Sequence, residues 1–204
     1  DKLWKEVEQA EKKSLPKTVI KLTDEIYQKG EKEKNSPQML KAYAWRMKYR
    51  EILNPDSLYA GLKGLEQWVK QTDQPMDRAI LHSLIAGIYA NYAANNQWQL
   101  RQRTEIVGQT PSADIREWTA NMLEKVRINV KEALADSVLL LKTSSRDYIP
   151  FVELGKTSEY YHHDLYHLLA SRGIDALLQV EKLGGGYTET NAVNPVKQDI
   201  IAIY

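Results

Sequence analysis

Hydrophobic residues recur every three or four positions along most of the chain, which is the periodicity of amphipathic helices. Trp4, Val7 and Ala10 share one face of a short first helix. Further apolar stripes with the same spacing cover residues 19–27, 40–53, 58–69, 115–141 and 165–180. No alternating run is long enough to indicate a strand. The pattern therefore predicts an all-α fold.

Short polar segments, most of them containing proline, separate these apolar stripes and mark the predicted helix starts. Proline is favoured in the first turn of a helix, where its missing N–H costs no hydrogen bond. Such start signals occur at 14–16, 35–37, 54–57, 73–75 and 110–112, and one without proline at 157–159. The first units are offset by about 40 residues, as in helical-hairpin repeats.

We therefore predict antiparallel helical hairpins stacked in a TPR-like or solenoid-like array. The predicted domain spans 1–204, with hairpin repeats over 1–96 and a half built on long helices over 97–204. Within that second half, one long helix begins at 110–112 and reaches 141. Another begins at 157 and continues through 180, and the glycines 184–186 end it.

The stretch 79–100 contains no acidic or basic residue, which raises the question of a membrane span. It does contain histidine, serine, asparagine and glutamine, which make insertion into a bilayer unfavourable. A helix buried among other helices explains the composition better. We expect no transmembrane segment here.

The composition excludes several classes of function. Hydrophobic residues make up 43% and charged residues 27%, as in folded globular proteins. The net charge of +1 gives no reason to expect nucleic acid as a partner. The absence of cysteine excludes disulfides, thiolate metal sites and cysteine nucleophiles. The chain begins without an initiator Met and stops on an apolar stretch, so we expect it to be a fragment of a longer protein.

His163 and His167 are the strongest candidates for chemistry. On one helix, their spacing of four would place both on one face and allow metal chelation. The pattern His163-Asp164-x-x-His167 is similar to a zinc-protease helix with Asp in place of Glu, but the shorter Asp would not reach a metal-bound water. No third ligand follows at a recognisable spacing. We therefore predict no metal, no cofactor and no catalytic residue.

The aromatic residues offer an interaction surface. A peptide- or sugar-binding groove could be lined by Tyr43, Trp45, Tyr49, Tyr59 and Trp68. The alternative, which their helical spacing favours, is that large aromatic side chains close helix–helix joints. On that interpretation Trp45, Trp68 and Trp118 close the interior of the stack.

Two parts of the chain resemble a known family. They are the segments 15–20, 24–27, 34–42 and 46–49, and then the segment 164–177. Together they are similar to the helical N-terminal region of large bacterial alpha-2-macroglobulin-like proteins, which precedes their macroglobulin domains. The resemblance implies an exported protein, periplasmic or membrane-anchored, that takes part in defence against proteases. A chain without cysteine cannot carry the thioester that many members use.

Two hypotheses of function follow. In the first, the chain is a non-catalytic interaction or scaffold module of a macroglobulin-like protease trap, with neighbouring domains or another protein as its partner. In the second, it is a free-standing helical-repeat adaptor for a peptide or protein. A metal-dependent hydrolase around His163 is a distant third.

Overall fold

The computed structural model describes residues 2–102, 122–153, 155 and 158–184, and these residues are predominantly helical. The helices are α1 (Lys2–Lys12), α2 (Pro16–Glu33), α3 (Ser36–Leu53), α4 (Ser57–Gln71), α5 (Pro75–Asn95), α6 (Gln97–Gln102), α7 (Met122–Ala133), α8 (Ser137–Lys142), α9 (Ser158–Tyr161) and α10 (Leu165–Gly184). A 3-10 helix spans Ser145–Tyr148. The all-α prediction is confirmed for the described residues. No helix in this part of the chain is both long and apolar enough to cross a membrane.

The predicted start signals act through local chemistry. Pro16 and Pro75 occupy the first turns of α2 and α5, where no N–H is needed. At the start of α3 the Asn35 side chain accepts a hydrogen bond from the Gln38 N–H at 3.2 Å. Lys34 ends α2 in the left-handed region, with φ of 54°, and so turns the chain directly into α3. The start predicted at 110–112 lies outside the described residues.

Two predictions of continuous helices are wrong. The helix expected from 157 to 180 is broken at 162–164, because the His163 carbonyl accepts a hydrogen bond from the Ser145 N–H at 3.1 Å and Asp164 forms an isolated bridge with Ser144. The helix expected to reach 141 is broken at 134–136. There Asp136 caps α8 by accepting a hydrogen bond from the Leu139 N–H at 3.1 Å.

The chain divides into two compact units, each with residues from two stretches of sequence. The first unit comprises Asp1–Gly64 and Thr143–Asp164, and the second comprises Leu65–Lys142 and Leu165–Tyr204. The single domain 1–204, with halves 1–96 and 97–204, stays a prediction.

In the first unit α2 and α3 form an antiparallel hairpin, and α1 packs along α2. Its core contains Trp4, Val7 and Ala10, which confirms the face predicted for the first helix. Val19 and Ile26 of α2 and Ala42 of α3 complete the core. The first unit thus has a small core shared by α1, α2 and α3, and one side of α3 faces α1.

In the second unit α5 packs against α7 and α10, and α10 also contacts α7 and α8. Apolar residues of α5 are buried around most of its circumference; they are Ala79, Ile80, Leu81, Ile85, Ala86, Tyr89, Ala90 and Ala93. A helix that is apolar nearly all round is stable only inside a protein. The prediction of a buried helix over this charge-free stretch is confirmed.

Candidate functional site

The side of α3 that faces α1 carries a cluster of aromatic and charged side chains. Lys41, Trp45, Lys48 and Tyr49 are spaced by four, three and one residues, which places them on one side of the helix. The Trp45 ring meets Trp4 of α1 edge to face, with ring centres 6.0 Å apart and an interplanar angle of 80°. We call this surface the α1/α3 face; its members are Trp4, Glu11, Lys41, Trp45, Lys48 and Tyr49.

One carboxylate oxygen orders the two aromatic side chains of α3. The Trp45 Nε1–H and the Tyr49 hydroxyl both donate to Oε1 of Glu11, at 3.0 and 2.8 Å. Desolvation raises the pKa of Tyr49, and the hydrogen bond to Glu11 raises it further. On α1 the Trp4 Nε1–H donates to Oε1 of Gln38 at 2.6 Å. The rings are therefore held in fixed orientations by neighbours within the first unit.

Two lysines lie over these rings. The Lys41 Nζ is 4.7 Å from the Trp4 ring centre and 5.1 Å from that of Trp45. The Lys48 Nζ is 5.9 Å from the Trp45 ring centre and 5.4 Å from that of Tyr49. These distances are within the range of cation–π attraction. The α1/α3 face thus presents an aromatic surface with a positive charge on either side of Trp45.

The two lysines differ in their ion pairs. The Lys41 Nζ lies 3.5 Å from Oε1 of Glu153, whose side chain is 76% exposed. Lys48 is exposed and forms no ion pair with any residue that the structure describes. One of the two positive charges therefore already has a carboxylate, whereas the other has aromatic rings beside it and no carboxylate partner among the described residues.

Tyr43 lies on a different side of α3. Its hydroxyl donates to the Gly61 carbonyl at 2.9 Å, and its ring lies 6.2 Å from that of Tyr27. The Arg46 guanidinium lies over both rings, at 4.7 Å from Tyr43 and 4.9 Å from Tyr27, and pairs with Asp24 at 2.7 Å. Burial raises the pKa of Tyr43, while Arg46 opposes the change. This tyrosine joins α3 to α2 and α4, so it does not share a surface with Trp45.

The remaining aromatic candidates are half-buried or outside the described residues. Tyr59 and Trp68 are half-buried residues of α4, and Trp68 belongs to the second unit. Trp45 is half-buried against the core of the first unit. Trp118 lies outside the described part of the chain. Of the residues predicted to form an interaction surface, the structure brings Trp45 and Tyr49 together.

Sequence reasoning missed Glu11, Lys41 and Lys48 as members of the α1/α3 face. The positions 41, 45 and 48 are spaced as neighbours on a helix, which is a signal that could have identified the lysines. No such signal exists for Glu11, which precedes Trp45 by 34 residues.

The predicted histidine pair lies in one five-residue segment. Within the first unit, the His163 Nε2 is 3.0 Å from Oδ2 of Asp164. The helix expected to hold both histidines is absent, because His163 precedes α10 and His167 is inside it. Both histidines are exposed, whereas Asp164 is buried. That this segment binds no metal stays a prediction.

No known protein family, curated protein or solved structure matches this chain. Of the glycines predicted to end the last helix, Gly184 is the last residue of α10, and residues 185 and 186 lie outside the described part. The resemblance to macroglobulin-like proteins stays an expectation.

Proposed function

We propose that this chain is a non-catalytic helical interaction module and that its α1/α3 face binds an acidic segment of a protein partner. The observation that supports this proposal is the pair of lysines held over aromatic rings on either side of Trp45. A lysine over a ring keeps its N–H donors free for a carboxylate, because the ring attracts the charge without accepting ordinary hydrogen bonds.

The acidic character of the partner is supported by the ion pair of Lys41. Glu153 follows Lys41 by 112 residues in sequence, yet its carboxylate lies 3.5 Å from the Lys41 Nζ. A carboxylate of this same chain therefore fits beside the aromatic surface. Lys48, at the equivalent position on the other side of Trp45, is where we place an acidic side chain of the partner.

The fixed orientation of the rings also supports binding. Glu11 holds Trp45 and Tyr49, and Gln38 holds Trp4. Side chains that are ordered before binding lose little conformational entropy when a partner arrives. Tryptophan and tyrosine are also among the residue types that contribute most to protein–protein binding.

The setting that we propose comes from the sequence resemblance. In it, the module stands at the N-terminus of a bacterial alpha-2-macroglobulin-like protease trap, exported to the periplasm or anchored to a membrane. The acidic segment then belongs to a neighbouring domain or another protein. The runner-up is a free-standing TPR-like or solenoid-like adaptor, and the tight α2–α3 hairpin favours it as a second candidate.

Fluorescence anisotropy with a labelled peptide of alternating glutamate and leucine tests the acidic-segment proposal. The matched probe replaces every glutamate by glutamine. We expect binding of the acidic peptide to weaken as salt is raised, since the contacts are exposed ion pairs. Lys48→Glu should lower its affinity at least about ten-fold, because it replaces an attraction by a repulsion. Lys70→Glu, an exposed lysine of α4, is the charge-matched control and should bind as before. Equal affinity for the glutamine peptide, or no effect of Lys48→Glu, would refute the proposal.

The non-catalytic character has its own test. The purified chain is incubated with proteases of different specificity, and substrate turnover is measured with and without it. We expect neither cleavage of added substrate by the chain nor inhibition of the proteases, because a helix stack offers no element for the collapse that a trap requires. Stoichiometric inhibition of any protease would contradict the scaffold function.

A further inference from the structure

A polar cleft of about 180 Å³ lies between α5 and α10 within the second unit. Its residues recur every four positions on α5, and on α10 they lie on successive turns, so each helix contributes one side to the cleft. Most of the lining consists of Ser83 and Gly87 on α5, and of Arg172, Asp175, Ala176 and Gln179 on α10. Ser83 and Ala176 are buried, whereas Arg172 and Asp175 are exposed. The cleft therefore has a closed floor and an open, charged rim.

Gly87 leaves this cleft open without being required by packing. A Cβ at Gly87 would meet only the Arg172 Nη2, at an ordinary contact distance of 3.9 Å. A Cβ at Gly30, Gly61 or Gly173 would instead come within 2.9, 2.7 or 2.8 Å of a neighbouring side chain. Glycine weakens a helix, so its presence in the middle of α5 has a cost that close packing does not explain. Access to the cleft explains this glycine, since a larger side chain at position 87 would occupy part of the cleft.

The polar groups of the cleft are left with unused hydrogen-bonding capacity. The Gln179 Oε1 is buried and has no hydrogen-bond donor among the described residues. Buried acceptors of this kind are uncommon because they lose their water without a replacement. The Arg172 guanidinium forms no hydrogen bond or ion pair with the part of the chain that the structure describes. Although the Arg172 side chain as a whole is exposed, partial desolvation of its guanidinium lowers its pKa, and the charge of Asp175 opposes the change, so the two groups are near neighbours.

We propose that this cleft binds a free α-amino acid in its zwitterionic form. Arg172 binds the carboxylate, since the guanidinium fork matches a carboxylate with two parallel hydrogen bonds. Asp175 and the Gln179 Oε1 accept hydrogen bonds from the ammonium group. Residues three apart on a helix lie side by side, which suits a ligand whose opposite charges are attached to one carbon.

The size of the cleft restricts the ligand. Sites for drug-sized molecules and cofactors begin at about 300 Å³, so a cleft of about 180 Å³ suits only a small molecule. Gly87 leaves room for a small amino-acid side chain beside α5. The terminal residue of a peptide carries either a free ammonium group or a free carboxylate, but not both. A peptide end would therefore use only half of the cleft.

Isothermal titration calorimetry on the whole chain separates these ligands. The probes are glycine, L-alanine and L-serine, with N-acetyl-L-alanine lacking the ammonium group and L-alaninamide lacking the carboxylate. We expect the three amino acids to bind and each capped derivative to bind at least about ten-fold more weakly. No heat of binding from any amino acid at ~10 mM would overturn the proposal. So would capped derivatives that bind as well as alanine.

Variants locate the binding in the cleft. Arg172→Gln and Asp175→Asn should each lower the affinity at least about ten-fold, and neither removes a buried apolar group. Gly87→Leu should abolish binding by filling the cleft, and circular dichroism checks that it folds. Glu132→Gln, on exposed α7 surface outside the cleft, is the charge control and should bind as before. Lys48→Glu should also leave amino-acid binding unchanged. Unaltered affinity in Arg172→Gln would overturn the proposal, whatever the outcome of the Gly87 variant.

Discussion

α3 and α5 have similar lengths, 18 and 21 residues, yet different forces hold them in their units. On α3 the buried residues are Leu40 and Ala42, and the helix is joined to its neighbours by directed contacts such as the pair of Arg46 with Asp24. On α5 the buried residues cover most of the helix, from Asp77 to Ala93. Apolar burial therefore dominates around α5, whereas hydrogen bonds and ring contacts dominate around α3.

This difference separates stability from binding. Apolar burial is non-directional and contributes most of the free energy of folding. Directed polar and aromatic contacts contribute less, but they place side chains in defined orientations at a surface. The second unit should accordingly react most strongly to loss of volume, and the first unit to loss of a single polar partner. The following changes test that contrast, beginning with the largest expected effect.

Leu81→Ala should destabilise the protein by about 2–5 kcal/mol, because it removes a fully buried side chain of α5 and leaves a cavity in its place. Urea unfolding followed by circular dichroism measures the change. Leu178→Ala removes the same atoms from a side chain that is 45% exposed, and should cost far less. Equal costs for the two leucines would mean that apolar burial on α5 contributes no more to stability than a partly exposed position of the same unit.

Gly64→Ala should destabilise the protein by about 1–3 kcal/mol, because the new Cβ would overlap the Tyr43 hydroxyl. That hydroxyl cannot move freely, since it donates to the Gly61 carbonyl at 2.9 Å. Combining the change with Tyr43→Phe removes the overlapping atom and should recover part of the loss in a double-mutant cycle. Additive effects would mean that the two residues do not interact.

Glu11→Ala should cost about 1–2 kcal/mol, because it leaves the Trp45 Nε1–H and the Tyr49 hydroxyl without their shared acceptor. Glu11→Gln keeps an acceptor oxygen and should stay close to the wild-type free energy of unfolding. Tryptophan fluorescence should shift in the Ala variant only. An unchanged free energy of unfolding in Glu11→Ala would show that the α1/α3 face does not depend on this hydrogen-bond acceptor.

Alkaline pH should weaken the first unit slightly. Burial raises the pKa of Tyr27, Tyr43 and Tyr49 above the ordinary value of 10.0, so the folded state binds their protons more tightly than the unfolded state. The resulting stability is fully present below pH 10 and is lost as the pH rises through the folded-state pKa values. Thermal melts from pH 9 upward measure this loss, and Tyr43→Phe should make it less steep. A slope that does not change in Tyr43→Phe would mean that this tyrosine does not titrate differently in the two states.

Local sequence determined the helices and much of their burial. Proline at 16 and 75 and asparagine at 35 act within one turn, through a missing donor or a side-chain cap, so their effect could be predicted without the fold. The lack of charge over 79–100 predicted a buried α5, because hydration of apolar surface is unfavourable wherever the chain goes.

Only the tertiary structure decided how the candidate sites are assembled. The i, i+4 spacing could place Trp45 beside Tyr49, but not choose Glu11 as their common acceptor, 34 and 38 residues away. In the same way, the predicted long helix is interrupted because the His163 carbonyl accepts a hydrogen bond from the distant Ser145 N–H. Packing of α10 on α5 likewise places Arg172 beside Gly87. Periodicity reports which side of a helix is apolar, whereas the partner of each polar group depends on how distant helices pack, and no short window of sequence contains that information.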